Sequence, residues 1–307
     1  MHHVRPVSRR SFLLGSAATL ALTACGGSGS SKGSAGTAAT GGGPSSDVTV
    51  AGASGTSPGA LVLIQRFAPK TLITGTQRVP IVLGDVNGLL PLEQTPASLT
   101  ARVVDTKGTV VVPTVTAKRH GDALQQPYYP FALSLAAPGN YELALTDSPD
   151  VKTAFDVSNP ADVLIPQVGA QLPPEQTPTV SNHRGVNPIC TRQPACELHT
   201  VTQASALGQG KPVAYLIATP AYCQTAICGP VLDLLLAEHT KRSDFVMVHA
   251  EVYTDDTIET PAPAVTAYHL NFEPCLFVAN TKGVITARLD SIWDASELTA
   301  ALDTASA

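Results

Sequence analysis

Two cysteines in a Cys-x4-Cys arrangement, Cys223 and Cys228, stand in a loop between two apolar runs. The first run, Val213 to Ala218, reads as a buried strand. The second opens at Gly229-Pro230 and continues through Val231, Leu232, Leu235 and Leu236 as an amphipathic helix. A helix N-terminus presents free amides and partial positive charge, and both stabilise a thiolate. Thiolate is the nucleophile of disulfide exchange, so this pair could attack a disulfide and resolve the mixed disulfide that results. Gly-Pro suits a first helical turn and favours Cys228 as the activated thiol. Loop exposure favours Cys223, and the order of attack stays open. Tyr222, Gly229 and Pro230 flank the pair, and Glu273-Pro274 follows some fifty residues on.

The other cysteines suggest support rather than attack. Cys190 and Cys196 are expected to form a small structural bridge that pins the segment leading into this region. Cys275, beside Pro274, is either a buried bystander or a third participant. The chain has six cysteines; five follow Cys25, so one stays unpaired, and spacing does not fix connectivity. No metal or other cofactor is expected. The formal net charge is −5, which argues against nucleic acid, since that partner requires a basic surface. Trp293 reads as a packing residue.

Around this loop the sequence alternates strand and helix. Thr202 to Leu207 is a short helix, Val231 to His239 a longer one, and Phe245 to Tyr253 a strand. Pro263 to Leu270 is a short helix. Leu276–Ala279 and Val284–Arg288 form a hairpin about the Asn280–Gly283 turn. Asp294-Ala-Ser-Glu297 is a capping box that opens a last helix, Leu298 to Leu302. Residues 60–159 differ. Short β-type runs (Leu61–Ile64, Arg78–Leu83, Leu99–Val104, Val110–Val112, Phe131–Leu135, Tyr141–Leu145 and Thr153–Val157) are separated by turn residues, as in an antiparallel sandwich. Residues 160–195 are a Pro/Gly-rich connection. Residues 26–59 are rich in Gly, Ser, Ala and Thr and read as a flexible tether.

The order of elements in 196–307, with Cys228-Gly229-Pro230 and Pro274, resembles the thioredoxin-like superfamily. Cys228-Gly-Pro looks like the start of that family's Cys-Gly-Pro-Cys site, and Pro274 like its cis-proline. The resemblance implies an α/β thioredoxin-like domain acting as a thiol–disulfide oxidoreductase, with Cys223, Cys228 and Pro274 at its centre and Tyr222, Gly229, Pro230 and Glu273 docking substrate beside them. Val231 replaces the family's second cysteine, and no acid stands on the preceding strand. The segment Ala137–Leu143 resembles a strand of immunoglobulin-like accessory domains, which implies a spacer or docking module. Two rival resemblances stand beside it. Thr225-Ala-Ile-Cys228 echoes peroxiredoxins. Sco-type copper chaperones pair two cysteines with a distal histidine, here His249 or His269. A non-catalytic thioredoxin-fold scaffold is the third alternative.

At the N-terminus, Ser8-Arg-Arg-Ser-Phe-Leu13 resembles a twin-arginine export motif. Leu22-Thr-Ala-Cys25 resembles a bacterial lipobox, which implies lipid attachment at Cys25 and a signal segment over 1–25. The implied location is extracytoplasmic and membrane-tethered. The implied partners are thiols and disulfides of exported proteins, together with a separate redox partner.

Overall fold

A computed structural model describes residues 60–306 apart from 122, 123 and 125, and these residues belong to one compact unit. The expected signal, lipobox and tether lie outside the described residues. The chain is mostly β-sheet with a few helices.

The first part contains strands β1 (Val62–Gln65), β2 (Gly75–Asp85), β3 (Gly88–Leu89), β4 (Ser98–Asp105), β5 (Val110–Lys118), β6 (Tyr129–Leu135), β7 (Gly139–Leu145) and β8 (Lys152–Val157). They form two antiparallel sheets, one of order β1-β2-β3 with β6 also on β2, the other of order β5-β4-β7-β8. Strand β6 shows why: Tyr129, Phe131, Leu133 and Leu135 are buried, while Ala132 and Ser134 between them are exposed. Period-2 alternation gives a strand one apolar face. Val79 and Ile81 of one sheet share a core with Ala101, Val103 and Leu143 of the other, the layering of a β-sandwich. Several strands outrun their apolar sequence runs, as β2 and β5 do, because ladder hydrogen bonds continue through polar residues.

The second part contains α1 (Gln203–Leu207), β9 (Val213–Ile217), α2 (Cys228–His239), β10 (Val246–Ala250), α3 (Pro263–Ala267), β11 (Cys275–Ala279), β12 (Ile285–Asp290) and α4 (Ala295–Ser306). The sheet order is β10-β9-β11-β12. Strands β9 and β10 are parallel, and the other neighbours antiparallel. Every residue of β9 is buried, because the sheet is covered on both faces. Ala214 and Leu216 pack with Val231 and Leu235 of α2 and Leu298 and Leu302 of α4. Val213, Tyr215 and Ile217 point the other way, towards Tyr268 and Phe277. Trp293 is buried in the first of these clusters, as a packing residue.

The two parts are bolted together through α4. Arg78 on β2 donates from Nε and Nη2 to the two Glu297 oxygens, each at 2.6 Å, and also to the Asp290 and Ile292 carbonyls. Tyr128 donates to the same carboxylate and accepts the Asp294 amide at 2.9 Å. Only half of the expected capping box forms. Asp294 Oδ1 accepts the amides of Ser296 and Glu297, both at 3.0 Å, whereas Glu297 turns away to Arg78. A buried guanidinium outcompetes a single backbone amide for that carboxylate, since charge-assisted bidentate pairs are the stronger contact.

Candidate functional site

Helix α2 begins at Cys228 itself, with Ile227 at its N-cap. The loop before it turns back through Ala226, whose amide bonds the Cys223 carbonyl at 3.1 Å. Ala226 adopts φ 56°, a left-handed conformation that costs a non-glycine residue about 1 kcal/mol or more. This turn sets Cys223 over the helix start, where its sulfur accepts the Cys228 amide at 3.4 Å. Cys223 Sγ also lies 3.4 Å from the Thr225 hydroxyl. Cys223 is half-buried, whereas Cys228 is fully buried.

The two thiols are therefore unequal. A hydrogen bond from the Cys228 thiol, against the opposing effect of burial, pulls the Cys223 pKa down to about 5; Thr225 and the amides of Cys228 and Ile227 assist. Burial pushes the Cys228 thiol far up, and its hydrogen bond to Cys223 and the nearby Glu273 push the same way. Cys223 is the thiolate at neutral pH, and Cys228 keeps its proton.

Glu273 completes the site. The Glu273-Pro274 peptide is cis. The Glu273 carboxylate and both sulfurs offer ligand atoms within 4.8 Å of one another. Glu273 Oε2 is buried without a hydrogen-bond partner among the described residues. Burial raises this carboxyl to about 8, and the charges of Cys223 and Glu251 add to the effect. Glu273, expected beside Pro274 as a docking residue, stands with its carboxyl next to both sulfurs.

Other residues frame the pair. Tyr222 and Tyr253 meet edge-on with ring centroids 6.4 Å apart, and burial, with Glu273 and Cys223 nearby, holds the Tyr253 hydroxyl above its ordinary pKa. Arg66, just after β1, lies within Coulomb range of Cys223, and Ile64 packs on the same apolar cluster. Gly229 and Pro230 sit half-buried in the first turn of α2, with open space around the Gly229 Cα. Arg66 and Tyr253 carried no local motif, and only the fold brings them here.

Cys275 does not join the pair. On β11 its side chain faces the opposite side of the sheet from Leu276 and Cys228, and its thiol donates to Asp290 at 3.5 Å. His269 is exposed at the end of α3, and neither it nor His249 belongs to the Cys223–Cys228–Glu273 group. The bridge expected between Cys190 and Cys196 is not formed here, and both are free, buried thiols. Their segment folds the two sulfurs against His199 and His249 instead. His199, unremarked in the sequence, could have been found from its Cys196-x2-His199 spacing.

No protein-family model matches the chain. No curated protein matches it significantly.

Proposed function

We propose that this chain is a thiol–disulfide oxidoreductase that uses Cys223 as attacking thiolate, Cys228 as resolving thiol and Glu273 as proton carrier. The observation that carries the reading is the asymmetric pair: an accessible, low-pKa sulfur held by a helix N-terminus over a buried protonated one, with a carboxyl of raised pKa beside both.

Cys223 thiolate attacks one sulfur of a substrate disulfide. A bond forms from Cys223 to that sulfur, and the substrate S–S bond breaks. The departing thiolate takes the electron pair and the proton of neutral Glu273. The Glu273 carboxylate then accepts the Cys228 proton, and Cys228 attacks Cys223. A Cys223–Cys228 disulfide forms, and the second substrate thiolate leaves. The substrate gains two electrons and the pair loses two. The reverse sequence oxidises a dithiol.

The second part of the chain reads as a thioredoxin-like domain. Support comes from its sheet order, its one parallel pair and the cis-proline beside the cysteines. The sandwich reads as an immunoglobulin-like accessory module that contributes Arg66 to the rim of the site. The sequence at Cys25 supports a lipid-anchored, extracytoplasmic protein acting on exported proteins, a setting in which disulfides persist.

Trapping tests the reading. Cys228→Ser should accumulate a mixed disulfide between Cys223 and a disulfide-bonded test protein, seen by non-reducing gel and mass spectrometry. Cys223→Ser should accumulate none. Equal trapping by both variants, or by neither, would contradict the assignment.

A further inference from the structure

We infer that Cys190, Cys196, His199 and His249 form a closed four-coordinate zinc site, separate from the Cys223–Cys228 pair. The four residues offer one ligand atom each, all within 4.8 Å of one another, and all four side chains are buried. His249 Nδ1 lies 3.4 Å from Cys196 Sγ, 3.9 Å from Cys190 Sγ and 3.2 Å from His199 Nε2. A tetrahedral ion with Zn–S of about 2.3 Å and Zn–N of about 2.0–2.1 Å needs mixed edges near 3.5 Å and nitrogen–nitrogen edges near 3.3 Å. The 3.4 and 3.2 Å edges fall within about 0.1 Å of those figures, and the 3.9 Å edge to Cys190 needs to close by about 0.4 Å.

The surroundings are built for ligation. His249 Nε2 lies 3.0 Å from the Ala218 carbonyl, which can only accept. That contact places the ring proton on Nε2 and leaves Nδ1 a bare lone pair facing the cluster, the outer-shell arrangement typical of metal-bound histidine. The Cys196 amide donates to Cys190 Sγ at 3.3 Å, which stabilises a thiolate there. The donor set, two sulfurs and two imidazoles, suits tetrahedral zinc. Four protein ligands leave no position for substrate, so the site is structural. Binding converts two thiols to thiolates and releases two protons. The resulting unit, a 2+ ion with two thiolates and two neutral imidazoles, has no net charge, which suits a buried position.

The site would clamp residues 190–199 onto β10, where the His249 amide already bonds the Leu198 carbonyl at 3.1 Å. Thr191 extends the clamp. Its amide and hydroxyl donate to Glu251 at 2.6 and 3.0 Å, and its hydroxyl accepts the Ala221 amide at 3.0 Å, at the foot of the loop that carries Cys223.

The test uses the full chain carrying Cys223→Ser and Cys228→Ser, which removes the other neighbouring pair of thiols. Reduced, chelator-treated protein is titrated with zinc alone and, in parallel, with cobalt. The expected result is one ion per chain, with tetrahedral cobalt bands, thiolate charge transfer, and Cys190 and Cys196 shielded from alkylation until chelator is added. His199→Gln should bind the ion at least about 10–100-fold more weakly in competition with a chelator, the loss that even outer-shell changes cause. Failure of the reduced protein to take up either ion would overturn the inference. So would uptake that leaves Cys190 and Cys196 freely alkylated. Alkylation protection is measured on the ligand-intact chain, so it decides the matter even if the His199 variant misfolds. Neither result bears on exchange chemistry at Cys223.

Discussion

Cys223 and Glu273 carry opposite pKa shifts a few ångströms apart, and each has a signature. Alkylation of Cys223 should rise through a pH near 5 and stay flat above it, because the thiolate is the reacting form. In Cys228→Ala the inflection should move upward, since the strongest stabilising contact is lost. A profile unchanged by that substitution would assign the low pKa elsewhere. Glu273→Gln should slow attack, in which Glu273 protonates the departing thiolate, and slow resolution, in which it takes the Cys228 proton, by up to about 10²–10⁴-fold, the usual range for a positioned proton carrier. Single-turnover kinetics separates the two steps. The same residue affects stability. Its folded pKa, about 8, lies above the unfolded carboxyl value, so the unfolded chain releases its proton first as pH rises. Wild type should therefore lose stability relative to Glu273→Gln between about pH 4.5 and pH 8, by a few kcal/mol at most, and level off above. Urea melts of the two proteins at pH 5 and pH 8 check the sign.

At the scale of elements, local pattern and long-range pairing separate what was legible from what was not. Val213–Ile217 and the Leu232/Leu235 spacing of α2 each encode burial locally, so strand, cysteine loop and helix were readable in order. Gly229-Pro230 marked the first turn of α2, and the helix starts one residue earlier, where Cys228 packs with residues of β9. Glu297 was readable as a capping residue but not as the partner of Arg78, which lies 219 positions away. Glu273 was legible as a neighbour of the proline, but its approach to Cys228 depends on the fold. Cys190 and Cys196 suggested a bridge by compartment and spacing; the two histidines that share their pocket come from different elements. The Arg78–Glu297 pair makes a firm prediction. Arg78→Ala should destabilise the protein by about 3–5 kcal/mol, because it strands a carboxylate between Tyr128 and the α4 N-terminus. Chemical denaturation measures that loss.

At the scale of the molecule, the sandwich and the α/β part share apolar cover as well as ion pairs. Val82, Leu124 and Tyr128 of the first part lie in the cluster that buries Cys228 and Trp293. Calorimetry of the folded region should therefore show one cooperative transition. Two resolved transitions would mean that this shared core contributes little. The coupling also brings Arg66 and Ile64 of the sandwich close to Cys223 and its apolar cluster. The central claim, that Cys223 and Cys228 form a working redox couple, is tested most directly by their reduction potential, measured by differential alkylation and mass spectrometry across thiol buffers. A thiolate stabilised to a pKa of about 5 stabilises the reduced state, so the expected result is a reversible couple between about −120 and −250 mV. A pair that never forms a disulfide, or a bridge that resists reduction below about −300 mV, would contradict the account.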